Sequence, residues 1–120
     1  KLTGFGYWAV EDRHTGQFVG EVGFADFMRD VDLAYQRLPE AGWVISSKWA
    51  GRGYATEAMR AVYEWFDDAM PGSNSFCMIT PENAGSIKVA ERLGYVLDCK
   101  TDYKDSPVEI YLRLAPSDPM

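Results

Sequence analysis

Histidine is almost missing from this chain of 120 residues: the single one is His14. It sits in Asp12-Arg13-His14-Thr15-Gly16, a run of turn-forming residues, and reads as a solvated loop residue. With no second histidine, neither a Ser-His-Asp triad nor a histidine-rich zinc site has obvious material. Cysteine is scarce as well. Cys77 and Cys99 lie in separate apolar runs, form neither a CxxC pair nor a metal knuckle, and are expected as reduced, buried thiols. No metal is therefore expected. Basic residues fall short of acidic ones, twelve against eighteen, for a net charge of -6. The electrostatic footprint of a phosphate-backbone binder is absent, so nucleic acid is not an expected partner, whereas cationic groups such as amines would be drawn to the surface. No apolar run approaches membrane-spanning length and no signal-type segment opens the chain, so no membrane partner is expected and a cytoplasmic location fits.

What remains is the composition of one globular domain, residues 1–120, with 47% hydrophobic and 25% charged residues. Tyr7 to Val10 and Phe18 to Phe24 are aromatic and β-branched runs joined by a turn cluster, which predicts a hairpin. In the second run Phe18, Gly20, Val22 and Phe24 share one face. Ala25 to Pro39 shows no period and reads as a loop. Glu40 to Ser46 predicts a third strand, which runs into the glycine-broken stretch Ser47 to Gly53. From Tyr54 a helical stripe begins, with Ala55, Ala58, Met59, Val62 and Phe66 on one face, and Pro71-Gly72 ends it. Phe76 to Ile79 reads as a strand covered on both faces. Asn83 is a candidate N-cap for a helix stopped by Gly94, and Val96 to Tyr103 with Val108 to Leu114 form a last strand pair. The expected order is β-β-β-α-β-α-β-β.

The junction Ser46 to Glu57 carries the most information. A strand passes through a glycine-rich turn into a helix, whose unpaired first N–H groups and positive dipole end make an anion site. Gly51 and Gly53 let the backbone approach a phosphate closely, and Arg52 adds a cation. The plainer reading is a tight turn with no ligand. A P-loop would need Gly-Lys-Ser/Thr, but Tyr54 follows the second glycine. A dinucleotide fingerprint would need glycine or alanine at position 56, where Thr56 stands, and a βαβ start that this chain lacks.

Trp49-Ala50-Gly51-Arg52-Gly53-Tyr54-Ala55-Thr56-Glu57-Ala58 resembles the acyl-CoA pyrophosphate loop of the GNAT N-acetyltransferase superfamily, with Ala50 where the family pattern begins with Gln or Arg. A second block, Pro81-Glu82-Asn83-Ala84-Gly85-Ser86 through Leu93-Gly94-Tyr95, is similar to the Asn-x-x-Ser helix of the branch typified by acetyltransferases of ribosomal-protein N-termini. The resemblance implies an α/β (α+β) fold with a mixed, mostly antiparallel sheet. The family's first strand and first two helices have no counterpart, so a chain truncated at its N-terminus is expected. It also implies an acetyl-CoA-dependent N-acetyltransferase acting on an amine by direct transfer in a ternary complex, with a homodimer left open.

By that resemblance the acetyl-CoA site comprises Val44, Ile45, Ser46, Gly51, Arg52, Gly53, Tyr54, Ala55, Thr56, Asn83 and Ser86. The β-strand backbone of Val44 to Ser46 would pair with the pantetheine arm as an added strand does. An ammonium must lose a proton before it can attack a thioester, and Glu40 matches the family position where such a base is often found; Glu21 or a water is the reserve. The family's common tyrosine acid falls on Ala90 here, so Ser86 is expected to hydrogen-bond the leaving sulfur, unless it merely reinforces the helix start. Tyr95 reads as core. The competing expectation is an acyl-CoA-binding module that has lost turnover.

Overall fold

A computed structural model describes residues 6–25, 35 and 38–116. Strands β1 (Gly6–Glu11) and β2 (Phe18–Ala25) form the expected hairpin, followed by β3 (Glu40–Ile45) and a 3-10 turn at Ser47–Trp49. Helix α1 (Tyr54–Ala69), strand β4 (Ser75–Ile79), helix α2 (Ala84–Arg92) and strands β5 (Val96–Tyr103) and β6 (Ser106–Arg113) complete the order. The six strands form one mixed sheet in the order β1-β2-β3-β4-β6-β5, antiparallel except for β3 beside β4. This is the expected fold class. Among the described residues no helix is long and apolar enough to cross a membrane.

Local chemistry explains the boundaries. Gly53, at φ 83°, is the N-cap of α1, a backbone position that glycine occupies without a steric cost. Asn83 caps α2, its side-chain oxygen accepting from the Ser86 amide, and Gly94 follows the helix in the left-handed region. Lys104 and Asp105 both have positive φ and make the two-residue turn between β5 and β6.

The helices cover one face of the sheet. Phe66 of α1 is fully buried, stacks on Phe24 at 4.3 Å between ring centroids and meets Tyr63 edge-on at 5.7 Å. The sequence stripe omitted Tyr63 and Thr56, which are also buried, because the helix is packed over a wider arc than a narrow seam. Tyr63, Ser75 and Tyr95 join their hydroxyls within this core, and burial pushes the Tyr63 phenol up to about 12. On the opposite face Tyr35, Phe76 and Ile110 make a smaller core, so β4 is covered on both sides as its apolar run implies.

Three expectations need correcting. A bulge opposite Val10/Glu11 breaks the alternation in β2, so that Val19 is buried and Phe18 is 57% exposed. The stretch read as a loop, 25–39, lies mostly outside the described residues; at its described positions Ala25 belongs to β2, and Tyr35 is helical, buried against Phe76 and bonded to Asp98. Cys77 is buried and reduced as expected, but Cys99, on the edge strand β5, is only partly covered.

Candidate active site

Strands β3 and β4 pair at one position, Glu40 opposite Phe76, with the Phe76 amide donating to the Pro39 carbonyl at 3.1 Å. Beyond that point their register ends and the two strands diverge. On its β4 side the remainder of β3 thus presents strand backbone that pairs with no neighbouring strand among the described residues, which is the requirement for an extended ligand to add as a strand. A cavity of about 620 Å³ occupies this region, walled by Trp43, Val44 and Ile45 on one side and by Asn83, Ser86 and Lys88 on the other.

The floor of the cavity is the glycine turn. Gly51 and Gly53, Tyr54, Ala55 and Thr56 all line it. Both glycines have positive φ, and a Cβ at either would meet nothing within 4 Å, so the backbone conformation and not crowding calls for glycine here. Among the described residues no side chain caps α1, and the amides of its first turn have no intrahelical acceptor. The Thr56 hydroxyl is buried and has no hydrogen-bond partner among the described residues. Orphan donors at a helix start beside an unpartnered buried hydroxyl are a polar demand that an anionic ligand satisfies. Lys88 and Arg92, one turn apart on α2, bring positive charge to the same wall. An adjoining cavity of about 600 Å³ shares Gly53, Thr56 and Arg92 and adds Arg60.

Most of the expected site residues converge here: Val44, Ile45, Gly51, Gly53, Tyr54, Ala55, Thr56, Asn83 and Ser86 are on the cavity wall. Ser46, Arg52 and Glu40 are not. The Ser46 amide donates to the Val19 carbonyl at 2.8 Å, so it is not available to a ligand, and the Arg52 guanidinium lies 5.2 Å above the Trp49 ring. The cations on the wall are instead Lys88 and Arg92, which sequence reading passed over. Their signal was there, since positions 85, 88, 89 and 92 form an i, i+3, i+4, i+7 stripe beside Ser86.

Glu40 opens β3 where β3 and β4 part, and it is 6% exposed rather than solvated at an edge. By strand alternation its side chain shares a face with Gly42 and Val44, opposite Ala41 and Trp43. Burial pushes the neighbouring Cys77 thiol well above its ordinary range, and the Glu40 charge adds to that. Glu21, the reserve base, is exposed on β2. Ser86 makes two contacts: its amide donates to Asn83 Oδ1 at 3.1 Å, and its Oγ accepts from Trp43 Nε1 at 3.3 Å. Ala90 is fully buried in the core, and Tyr95 is 3% exposed there.

Residues 1–96 match the acetyltransferase (GNAT) domain family. The chain belongs to the GNAT acetyltransferases. A curated relative, the uncharacterized protein YkkB of Bacillus subtilis, is 29% identical over 110 residues, covering 92% of this chain and 62% of the relative, so the chain spans less than two thirds of that protein. A Bordetella pertussis protein described as of the GnaT acetyltransferase family has 28% identity and a TM-score of 0.85, over 91% of this chain and 65% of that one. The ribosomal-protein-S5-alanine acetyltransferase of Vibrio fischeri has a TM-score of 0.76 at 18% identity, over 92% of this chain and 62% of that one, a likeness of fold.

One further contact holds the GNAT loop in place. Asp12, in the β1–β2 turn and 7% exposed, accepts from the Tyr54 hydroxyl at 2.6 Å through Oδ1 and from the Thr15 amide and hydroxyl at 2.9 Å through Oδ2. These bonds, the one from Tyr54 first, hold its carboxyl below the usual carboxylate range and push the Tyr54 phenol up. Tyr54 follows Gly53 directly and meets Trp49 edge-on at 5.4 Å, so the hairpin turn braces the residue that starts α1. A depressed carboxylate contributes stability above its unfolded value of 3.8 and loses it as pH falls through the lower folded value. The difference in melting temperature between the parent and Asp12→Ala should therefore be constant from neutral pH down to about pH 4 and shrink below it. A difference that already vanishes near pH 6 would contradict this latch.

Proposed function

We propose that this GNAT domain, a single domain over residues 1–120, transfers an acetyl group from acetyl-CoA to an amine by direct attack in a ternary complex. The observation that carries the reading is the continuity of one cavity from the glycine turn, through the orphan amides of α1, to the open backbone edge of β3. That is the shape and polarity of a phosphate-bearing, extended thioester. In this reading the amides of Tyr54, Ala55 and Thr56 and the Thr56 hydroxyl hold phosphate oxygens, with Lys88 and Arg92 as counter-charges. The backbone of Val44 and Ile45 pairs with the pantetheine arm, and one of its N–H groups polarises the thioester carbonyl. Asn83, whose side chain is committed to the α2 cap, shapes the wall where the arm ends.

Glu40 serves as the base. A carboxylate removed from water and set beside the opening between the strands is better placed than exposed Glu21 to take a proton from an amine. The acceptor is an amine on a protein N-terminus or on a small molecule, and the acidic chain favours one that carries positive charge. Such chemistry belongs to a cytoplasmic protein supplied with acetyl-CoA.

Ala50 and the buried Ala90 favour a second reading, an acyl-CoA-binding module without turnover, because the loop lacks the family's Gln or Arg and α2 offers no tyrosine acid. A thermal-shift titration with acetyl-CoA separates ligand binding from no binding. Both readings expect a concentration-dependent rise in melting temperature; its absence at millimolar acetyl-CoA would reject both.

A further inference from the structure

Ser86 and Trp43 lie on opposite walls of the cavity, 43 positions apart in sequence, and one hydrogen bond closes the gap between them: Trp43 Nε1 donates to Ser86 Oγ at 3.3 Å. We infer that Trp43 is a positioning residue for Ser86, fixing the direction in which the serine hydroxyl offers its proton. The inference rests on the acyl-CoA reading above and goes beyond it.

A hydroxyl has one donor and two acceptor sites, while an indole N–H donates only. Trp43 therefore occupies an acceptor site on Ser86 and cannot receive its proton. The O–H must point elsewhere. A serine in a first helical turn would otherwise turn its hydroxyl back onto the helix backbone, a local bond that competes with any outward role. The indole works against that alternative by drawing Oγ toward β3, and Ser86 is held from behind by its amide bond to Asn83. Trp43 is itself well anchored: it is half-buried, packs against the main core and meets the Tyr95 ring at 6.3 Å and 70°.

In the transfer step the amine nitrogen forms its bond to the thioester carbon. Glu40 has already taken the ammonium proton; the carbon–sulfur bond breaks with its electron pair remaining on sulfur, and the extra proton on the nitrogen after attack passes to water. Ser86 keeps its proton and donates a hydrogen bond to the departing thiolate. Each hydrogen bond to the charged form favours it, so Ser86, aimed by Trp43, lowers the pKa of bound CoA.

Titration of CoA bound to the purified chain, followed by the ultraviolet absorbance of its thiolate, tests this without any acceptor. The bound thiol should ionise well below its free value of about 8.5. Trp43→Phe, which keeps a ring in the core but removes the N–H, and Ser86→Ala should each make it about tenfold less acidic, and the double variant should be no worse than the larger single change. Each titration is run at saturating CoA, so that a change in affinity does not enter the reading. In the parent, the Trp43 indole proton should also move upfield in the NMR spectrum on Ser86→Ala substitution, a readout that leaves the core untouched. Additive effects of the two substitutions, or a titration in Trp43→Phe unchanged from the parent, would overturn the inference while leaving the acyl-CoA reading intact. Failure of CoA to bind the parent chain would overturn both.

Discussion

Glu40→Gln should lower turnover by about 10² to 10⁴-fold while leaving acetyl-CoA affinity within about twofold. The substitution keeps the size of the side chain, replaces one acceptor oxygen by a donating amide nitrogen and removes its capacity to take a proton. At neutral pH the acceptor is almost wholly an ammonium, so a reaction that needs the free amine depends on a group that removes that proton. Glu40 is nearly inaccessible to solvent and stands where β3 and β4 separate. A carboxylate there is screened from bulk water beside the separating strands, whereas Glu21 is exposed on β2. Glu21→Gln should accordingly change turnover by less than about threefold. Equal losses of turnover and acetyl-CoA affinity in Glu40→Gln would reject the role of base, and a large loss in Glu21→Gln with none in Glu40→Gln would transfer it to Glu21.

The second large effect concerns stability. Phe66→Ala should cost about 3–5 kcal/mol, read as a lower urea midpoint at an unchanged slope. Phe66 is fully buried, stacks on Phe24 of β2 and touches Tyr63, so it joins α1 to the sheet across the main core. Removing the ring leaves a void lined by rigid aromatic neighbours that cannot collapse into it, which adds a cavity cost to the lost transfer energy. In a domain whose whole stability is about 5–15 kcal/mol, that loss leaves a small margin. A cost below about 1 kcal/mol would mean that the helix is not seated on the sheet as described. Conversely, Phe18→Ala should be nearly neutral, because the bulge at Val10/Glu11 turns Phe18 outward.

How much could be read in advance follows from the range of the forces involved. The period of α1, the capping asparagine at 83, the left-handed Gly94 and the continuous apolar β4 are local patterns, and each forms its element where the pattern lies. The glycine turn was legible for the same reason: a positive φ and a helix start are properties of a few adjacent residues. The corrections come from contacts between distant segments. The burial of Val19 in place of Phe18 depends on where β2 takes its extra residue against β1. Arg52 carries the local signature of a phosphate ligand, yet it lies over Trp49, while Lys88 and Arg92 reach the cavity from another helix. The bonds from Tyr54 to Asp12 and from Trp43 to Ser86 span 42 and 43 positions, and no periodicity encodes such pairings. Glu40 is intermediate: its place at a strand start was readable, but its burial depends on the adjacent strands.

The reaction proposed for this cavity delivers an acetyl group from acetyl-CoA to an amine. It is tested most directly by incubating the chain with acetyl-CoA and a panel of amines, including N-terminal peptides and polyamines, and following free thiol and acetylated amine together. Thiol release should depend on one class of amine, be matched mole for mole by N-acetylated product, and collapse in Glu40→Gln. Tight acetyl-CoA binding with no amine-dependent thiol release across the panel would contradict it and leave a binding module in its place.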